Sequence, residues 1–329
     1  MRSTGLVVAL ALLGALCLAS MAFGSKPMPL ATVLDALTHY DPTVNDHLIV
    51  HSLRVPRTFI GLMVGVSLGL AGAVMQGVAR NPLADPGILG VNAGAALMVV
   101  IGIRVFDLAS LLGYVWFAFA GAAVAAVVVY ALGSLGREGP TPVKLALAGA
   151  AVTALLGSIT SAILLLDVAT LDQFRFWSVG SLAGRGGGVV RQLAPFVAVG
   201  AVLALASGRL LNALSLGDDV ARSLGQHVGR ARLFLALSVV VLCGAATAAA
   251  GPIGFVGLTI PHVARAITGP DYRWVLPYSM VLAPILLLGA DIIGRVVARP
   301  GELQVGIVTA VLGAPFFVLL VRRRKLAEI

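Results

Sequence analysis

From Thr58 to Val78 the chain runs without one ionisable side chain. At about 1.5 Å per residue, that stretch reaches across a bilayer core of roughly 30 Å. Backbone polar groups in hydrocarbon must be satisfied internally, so such a stretch folds as a helix. It is entered through Arg54, Pro56 and Arg57 and left through Arg80, Asn81, Pro82, Asp85 and Pro86, and the chain is apolar again from Gly87. The pattern is a helical hairpin crossing a membrane twice, with a polar, proline-rich turn. Gly61, Gly65 and Gly69 recur every four residues, and Gly72, Ala73 and Gly77 continue the small-residue surface. Lipid tails give no hydrophobic drive for one helix to pack on another, whereas small residues let backbones approach. The stripe predicts a helix buried among others.

The rest of the chain repeats this character. Only 11% of the 329 residues are charged, against about 25% in a soluble domain, and the mean hydropathy is +1.01. Ten apolar segments can be drawn, at 5–24, 57–78, 87–106, 109–133, 144–166, 189–207, 233–250, 253–268, 275–297 and 304–321. The expected fold class is all-α: a polytopic membrane protein of about ten transmembrane helices, forming one domain over 1–329. The eighth segment is short and carries Pro261, His262 and Arg265. A broken helix at membrane depth needs protein or a water-filled cavity around it, so this segment is expected to be buried. The first segment, preceded by Arg2, reads either as a secretory signal with Ala19–Ala22 as the cleavage region or as a retained span; its full crossing length favours retention.

Ten spans place both ends on one side. The loops of that side carry 14 of the 23 Lys and Arg residues, ending in Arg322-Arg323-Arg324-Lys325. Cytoplasmic loops are the ones enriched in Lys and Arg, so both termini are assigned to the cytoplasm. The net charge of +9 therefore reflects topology, and no nucleic-acid partner is implied. On this topology 167–188 is outside. Its middle suits a short interfacial helix, with Phe174, Phe176 and Trp177 either as an aromatic belt or as part of an outer gate.

The longest inner polar stretch, 208–232, reads as two short helices. The second starts at Asp218 and Asp219 after Gly217, since acids favour a helix N-terminus, and closes at Gly225. A connection of this length in a compact bundle is unusual and commonly functional, and a docking surface for a cytoplasmic partner is its natural use.

The wording RVPRT, GLAGAVMQ and RNPLADPGILGVNAGA closely resembles the FecCD family, and within it the ferric-enterobactin branch. These are membrane subunits of bacterial ATP-driven importers for ferric siderophores, haem and vitamin B12. The resemblance implies the type II ABC importer permease fold, in the bacterial inner membrane, as a non-catalytic subunit translocating a ferric siderophore inward; haem or vitamin B12 is the alternative cargo. It implies two ATPase subunits, which bind ATP and Mg, so that this chain holds no cofactor itself. It further implies a second permease, either a copy or a paralogue, and a periplasmic substrate-binding protein. In that family the element matching 208–232 seats in the ATPase, which here assigns coupling to Leu216, Gly217, Asp218, Asp219, Ala221, Leu224 and Gly225. Arginines at the RVPR and ADIIGR positions, here Arg54, Arg57 and Arg295, would pair with acidic residues of the binding protein; snorkelling to the interface is the alternative reading. Gly90, Asn92, Ala93 and Gly94 would suit the wall of a path between two permeases.

Other chemistry-bearing residues carry less. Asp291 sits in an apolar helix one turn before Arg295. An acid there is a functional candidate, a proton relay in a secondary transporter, or an i, i+4 partner of Arg295, and pairing is the simpler reading. Gly65-x-Ser67-x-Gly69 matches a hydrolase elbow, but the motif needs a strand-turn-helix and a His and acid partner, and here it lies mid-span. His47 and His51 share one face if their loop is helical, without an evident third metal ligand. His262 follows a proline and reads as a packing residue. Cys17 and Cys243 lie in apolar runs without metal-ligand spacing. No G-x-x-x-x-G-K-[ST] loop occurs, and GREGPTPVK at 136–144 has the wrong spacing.

Overall fold

The computed structural model describes residues 2–108, 111–136 and 141–324, and the described residues are helical throughout, without a strand. In chain order the helices are α1 (Arg2–Ala22), α2 (Leu30–Thr38), α3 (Asn45–Ile49), α4 (Val55–Ala79), α5 (Val91–Phe106), α6 (Leu111–Gly133), α7 (Pro142–Leu166), α8 (Val168–Ser178), α9 (Gly187–Ala206), α10 (Gly208–Ser215), α11 (Asp218–Ser223), α12 (Val228–Ala250), α13 (Val256–Thr268), α14 (Tyr272–Val297) and α15 (Val305–Arg324). Each of the ten apolar segments coincides with one helix. Among the described residues seven helices are long and apolar enough to cross a membrane, and α5 and α15 are shorter apolar helices. The residues Arg137 and Lys325, counted in the charge argument, lie outside the described residues.

α4 is the axis of the bundle. Its apolar stretch is 78% buried, against 11% for α1 and 17% for α7. It packs on α14, α12, α13 and α9. The glycine stripe sets those contacts. A Cβ on Gly61 would stand 2.5 Å from Leu288 Cδ2, and one on Gly65 would stand 2.5 Å from the Cα of Pro284. At Gly69 it would meet the Ser279 carbonyl, and at Gly72 the Gly257 carbonyl on α13, both well inside the 3.0 Å that real Cβ atoms respect. Leucine-sized side chains at these positions would push α14 and α13 away, which is why the four-residue repeat is written in glycine.

The eighth segment is buried, as its broken sequence requires. α13 has 13 residues, about 20 Å of helix, and is preceded by an unwound stretch in which Phe255 adopts a left-handed conformation with φ 66°. Gln76 on α4 reaches across to this helix: its amide donates to the Gly257 and Leu258 carbonyls at 3.3 and 3.1 Å, and Arg265 donates to its oxygen. Two carbonyls in the first turn of the short helix are therefore bonded to protein.

The region 167–188 departs from the belt reading. α8 forms, but Phe174 and Trp177 are buried, Trp177 to 2% exposure. Their rings stack 5.6 Å apart. The chain just beyond them is locked in by backbone contact, with Ser181 N donating to Ala250 O at 2.7 Å and Gly306 N to Gly180 O at 3.1 Å. Apolar aromatics against protein gain burial that a headgroup position would not give. Nothing is described of the Phe176 side chain.

Candidate functional site

Two charged clusters cap the ends of α4. Arg57 and Arg80 are 23 positions apart, about 35 Å of helix.

At the first end, Arg57 lies in the opening turn of α4 and faces α14. Its Nε and Nη2 donate to the two oxygens of Asp291 at 3.1 and 2.8 Å. Arg295 Nη2 stands 2.9 Å from the same carboxylate, and Arg57 Nη1 donates to Glu302 at 2.7 Å. Asp291 is fully buried. The expected Asp291–Arg295 pair is thus present, and Arg57 completes a triad the spacing did not show. A carboxylate clamped by two guanidiniums makes a structural tie, not a mobile proton carrier.

The arginines also close α1. Arg295 donates to the Ser20 and Phe23 carbonyls at 2.9 and 2.8 Å and to Ser20 Oγ. Arg54 donates to the Ala22 carbonyl at 2.8 Å and to those of Met21 and Lys26. Arg299 donates to Gly24 O at 2.8 Å. The last carbonyls of a helix have no intrahelical partner, and cations there also complement the helix dipole. Arg54 and Arg295 are only 6% and 2% exposed. They are neither snorkelling nor extended into solvent, but fastened to the protein's own backbone. All three predicted docking arginines nevertheless line a single cavity of about 510 Å³, together with Lys26, Arg185 and Glu302.

At the second end, α10 and α11 form as the sequence indicates, with Gly217 at φ 109° and Gly225 at φ 82° making the left-handed turns on either side of α11. Asp218 accepts from Arg80, the residue that ends α4, and from Arg232 on α12 at 3.0 Å. Ala221 is buried, and Asp219 makes only an exposed pair with Arg222 at 2.8 Å. Leu216, Val220 and Leu224 are 63%, 43% and 59% exposed. All three are apolar side chains at or beside α11 that the fold leaves exposed. Val220 is a candidate contact that the sequence reading left out. The signal for it was an apolar residue in the first turn of a short polar helix, four residues before Leu224.

This end is shared with other termini. Asn212 on α10 donates to Asp271 at 2.6 Å, and Tyr272 N donates back to Asn212 at 2.9 Å. Asp271 caps α14, and hydrogen bonds from Arg273 first, then Asn212, hold its carboxyl well below the usual carboxylate range. Tyr278 OH donates to the Arg2 carbonyl at 2.6 Å. Residues 208–232 and the start of α1 therefore lie at one end of the bundle, and Arg54, Arg57 and Arg295 at the other, as the ten-span topology requires.

The four residues assigned to a path wall separate into two kinds. Gly90, at φ 71°, turns the chain into α5, and Gly94 is pressed against the Gly121 carbonyl of α6, so both serve packing. Asn92 and Ala93 keep partial exposure, and Asn92 accepts from Thr247 at 3.0 Å. Ser67 is fully buried in mid-helix, so no elbow exists. His47 accepts from Asp41 N at 3.1 Å, and His51 donates to Ala36 O at 2.8 Å. The two imidazoles serve different partners, and among the described residues no three His, Cys, Asp or Glu side chains are grouped to hold a metal.

The chain is a bundle of apolar helices with a buried ionic cluster at one end of α4 and exposed apolar side chains at the other, the architecture of a polytopic membrane protein, and the comparisons say which kind. The model of the FecCD transport family matches residues 12–323, and the chain belongs to that family. It is 47% identical over 305 residues to the ferric enterobactin transport system permease protein FepD of Escherichia coli K12, covering 93% of this chain and 91% of FepD. It is 46% identical over 312 residues to the "Probable siderophore transport system permease protein YfiZ" of Bacillus subtilis 168, covering 95% and 93%. A chain of the solved structure titled "An inward-facing conformation of a putative metal-chelate type ABC transporter" superposes with a TM-score of 0.85 at 27% identity, covering 98% and 99% of the two chains. The protein is thus a non-catalytic, multi-pass inner-membrane permease of an ABC importer, which works with ATPase and substrate-binding partners.

Proposed function

We propose that this permease carries a ferric siderophore from periplasm to cytoplasm, in an assembly of two permeases, two ATPases and one periplasmic substrate-binding protein. Both termini face the cytoplasm on this reading. The observation that carries it is the exposure of Leu216, Val220 and Leu224 around α11, a helix anchored through Asp218 to the end of α4. Three apolar side chains held out in water are a partner surface, and the partner on the cytoplasmic side of such a chain is an ATPase. Its nucleotide-driven movement would reach the bundle through α11, Asp218 and Arg80. The binding protein would dock at the opposite end, around the cavity ringed by Lys26, Arg57 and Glu302. Siderophore cargo is favoured because the relatives named for siderophores are 46% and 47% identical, whereas those named for cobalamin and hemin import are 39% and 37% identical.

Reconstitution with the ATPase and the binding protein tests this. Ferric siderophore should stimulate ATP hydrolysis and uptake. Leu216→Asp with Leu224→Asp should remove two anchors worth about 2 kcal/mol each, so ATPase capture should fall by at least about a hundredfold while the permease stays folded. Undiminished capture by the double variant, or uptake without any ATPase, overturns the reading.

A further inference from the structure

The connection between α4 and α5 does not turn at the end of the bundle. A Cβ on Gly257 of α13 would stand 3.0 Å from the Leu68 carbonyl and 3.5 Å from both Gly72 Cα and Pro86 Cδ. Leu68 and Gly72 lie 12 and 8 residues before Arg80, about 12–18 Å back along α4. Residues 81–90 therefore fold back into the bundle, where Pro86–Leu89 makes a 3-10 turn. This is why α5 has only 16 residues, about 24 Å of helix, against a crossing of roughly 30 Å: it starts at depth. The unwound chain before α13 meets the loop there. Ile253 and Gly257 line the same small chamber as Asp85, Asn92, Cys243 and Thr247.

Asp85 brings an acid to this depth, where an ionisable side chain is a functional candidate. Its Oδ1 accepts from Gly87 N at 2.7 Å, and none of the residues lining the chamber is a cation. The elements packed round the loop supply no counter-charge. α4 offers Leu68, α5 Asn92, α13 Gly257, and α12 the Cys243 thiol, the other titratable group of the chamber. α6 and α7 meet the loop through Val129, Gly149 and Val152. Arg80 at the end of α4 bonds Asp218, and Arg265 on α13 bonds Gln76. A carboxylate without a counter-charge in apolar surroundings is costly, and taking up a proton removes the charge. The chamber, about 10 Å³, is at the lower limit for one water and has no room for a hydrated cation. Asp85 keeps partial exposure, which leaves the proton a way in and out.

We infer that Asp85 is a proton-binding latch: its carboxyl is protonated while residues 81–90 are seated in the bundle, and it ionises when they swing out toward water. On leaving, the O–H bond breaks, its electron pair stays on the carboxylate, and the proton passes to water. The seated loop holds the proton more tightly than the free one. Seating is therefore favoured most below the ordinary Asp value, about 3.9, and weakens as pH rises through the seated value. The proton moves on and off this site whatever the cargo, so the inference goes beyond the siderophore reading.

Infrared difference spectroscopy on the whole chain in nanodiscs reads the proton directly. At pH 7 the wild type should show a protonated-carboxyl stretch that Asp85→Asn lacks and that Asp85→Glu keeps at a shifted frequency. With the ATPase subunits added, a non-hydrolysable ATP analogue should remove that band and release a proton from each permease into weakly buffered solution. Asp85→Asn should release none. Equal spectra for wild type and Asp85→Asn overturn the inference, since Asp85 would then be ionised at rest. A band that nucleotide leaves unchanged overturns it too, because the proton would be a fixed part of the fold. So does a carboxylate signal that responds to sodium instead of pH, which would make the chamber a cation site. If Asp85→Asn fails to fold, the shifted band of Asp85→Glu and the pH titration of the wild-type band decide, and a band that vanishes within the ordinary Asp range overturns the latch.

Discussion

The two ends of α4 are both written in arginine and aspartate, yet they are built to opposite specifications. At one end Asp291 is fully buried, shares two guanidiniums, and those arginines hold the last carbonyls of α1. At the other, Asp218 bridges Arg80 and Arg232 with its side chain 24% exposed, and the neighbouring Asp219 is 98% exposed. A buried ionic cluster loses several kcal/mol when one member is removed, because the rest are left charged and unpaired. A solvated bridge loses about 1 kcal/mol or less. One end is therefore a fixed joint and the other a compliant one, and a rod fixed at one end and sprung at the other suits a part driven by a separate engine.

The comparison is broken most severely by Asp291→Ala. Arg57 and Arg295 would then stand buried without their shared carboxylate, and the cost should be about 3–5 kcal/mol. The readout is the thermal unfolding of the detergent-purified permease together with proteolysis at the α1–α2 junction, which should open. A variant as stable as wild type would show that the end is not a fixed joint.

The rod itself is probed by Gly72→Ala. The added methyl must displace the Gly257 carbonyl of α13, and overpacking of this kind costs about 1–3 kcal/mol. The melting temperature should fall by less than in Asp291→Ala, and an unchanged value would mean α13 yields freely. The smallest effect is expected at the sprung end. Asp218→Asn should cost at most about 1 kcal/mol of stability yet lower the coupling of ATP hydrolysis to uptake. If stability drops as it does for Asp291→Ala, or if coupling is unaffected, the contrast between the ends disappears.

Much of this was legible in the residues. The ten apolar segments each became a helix, and the four-residue glycine repeat found its partners in Leu288, Pro284 and Ser279. The 208–232 segment folded into the two helices that its glycines and acids announce. These features are local, because hydrophobic length, turn chemistry and capping act within one or two turns.

What the sequence left open was the direction in which a side chain looks. Trp177 and Phe174 could belong to a headgroup belt or a core, and the packing of 177–181 against 250–252 and 306 placed them inside. Arg54, Arg57 and Arg295 could face a partner or the protein. Their own partners lie far away in sequence, 234 residues for Arg57 with Asp291 and 275 for Arg295 with Ser20. The sequence by itself determined that this chain is a bundle of membrane helices with a polar two-helix segment at 208–232, since burial in lipid and helix capping are decided locally. Only the tertiary structure decided that Arg57 and Arg295 form a buried joint with Asp291, because an ion pair exists only where distant segments meet.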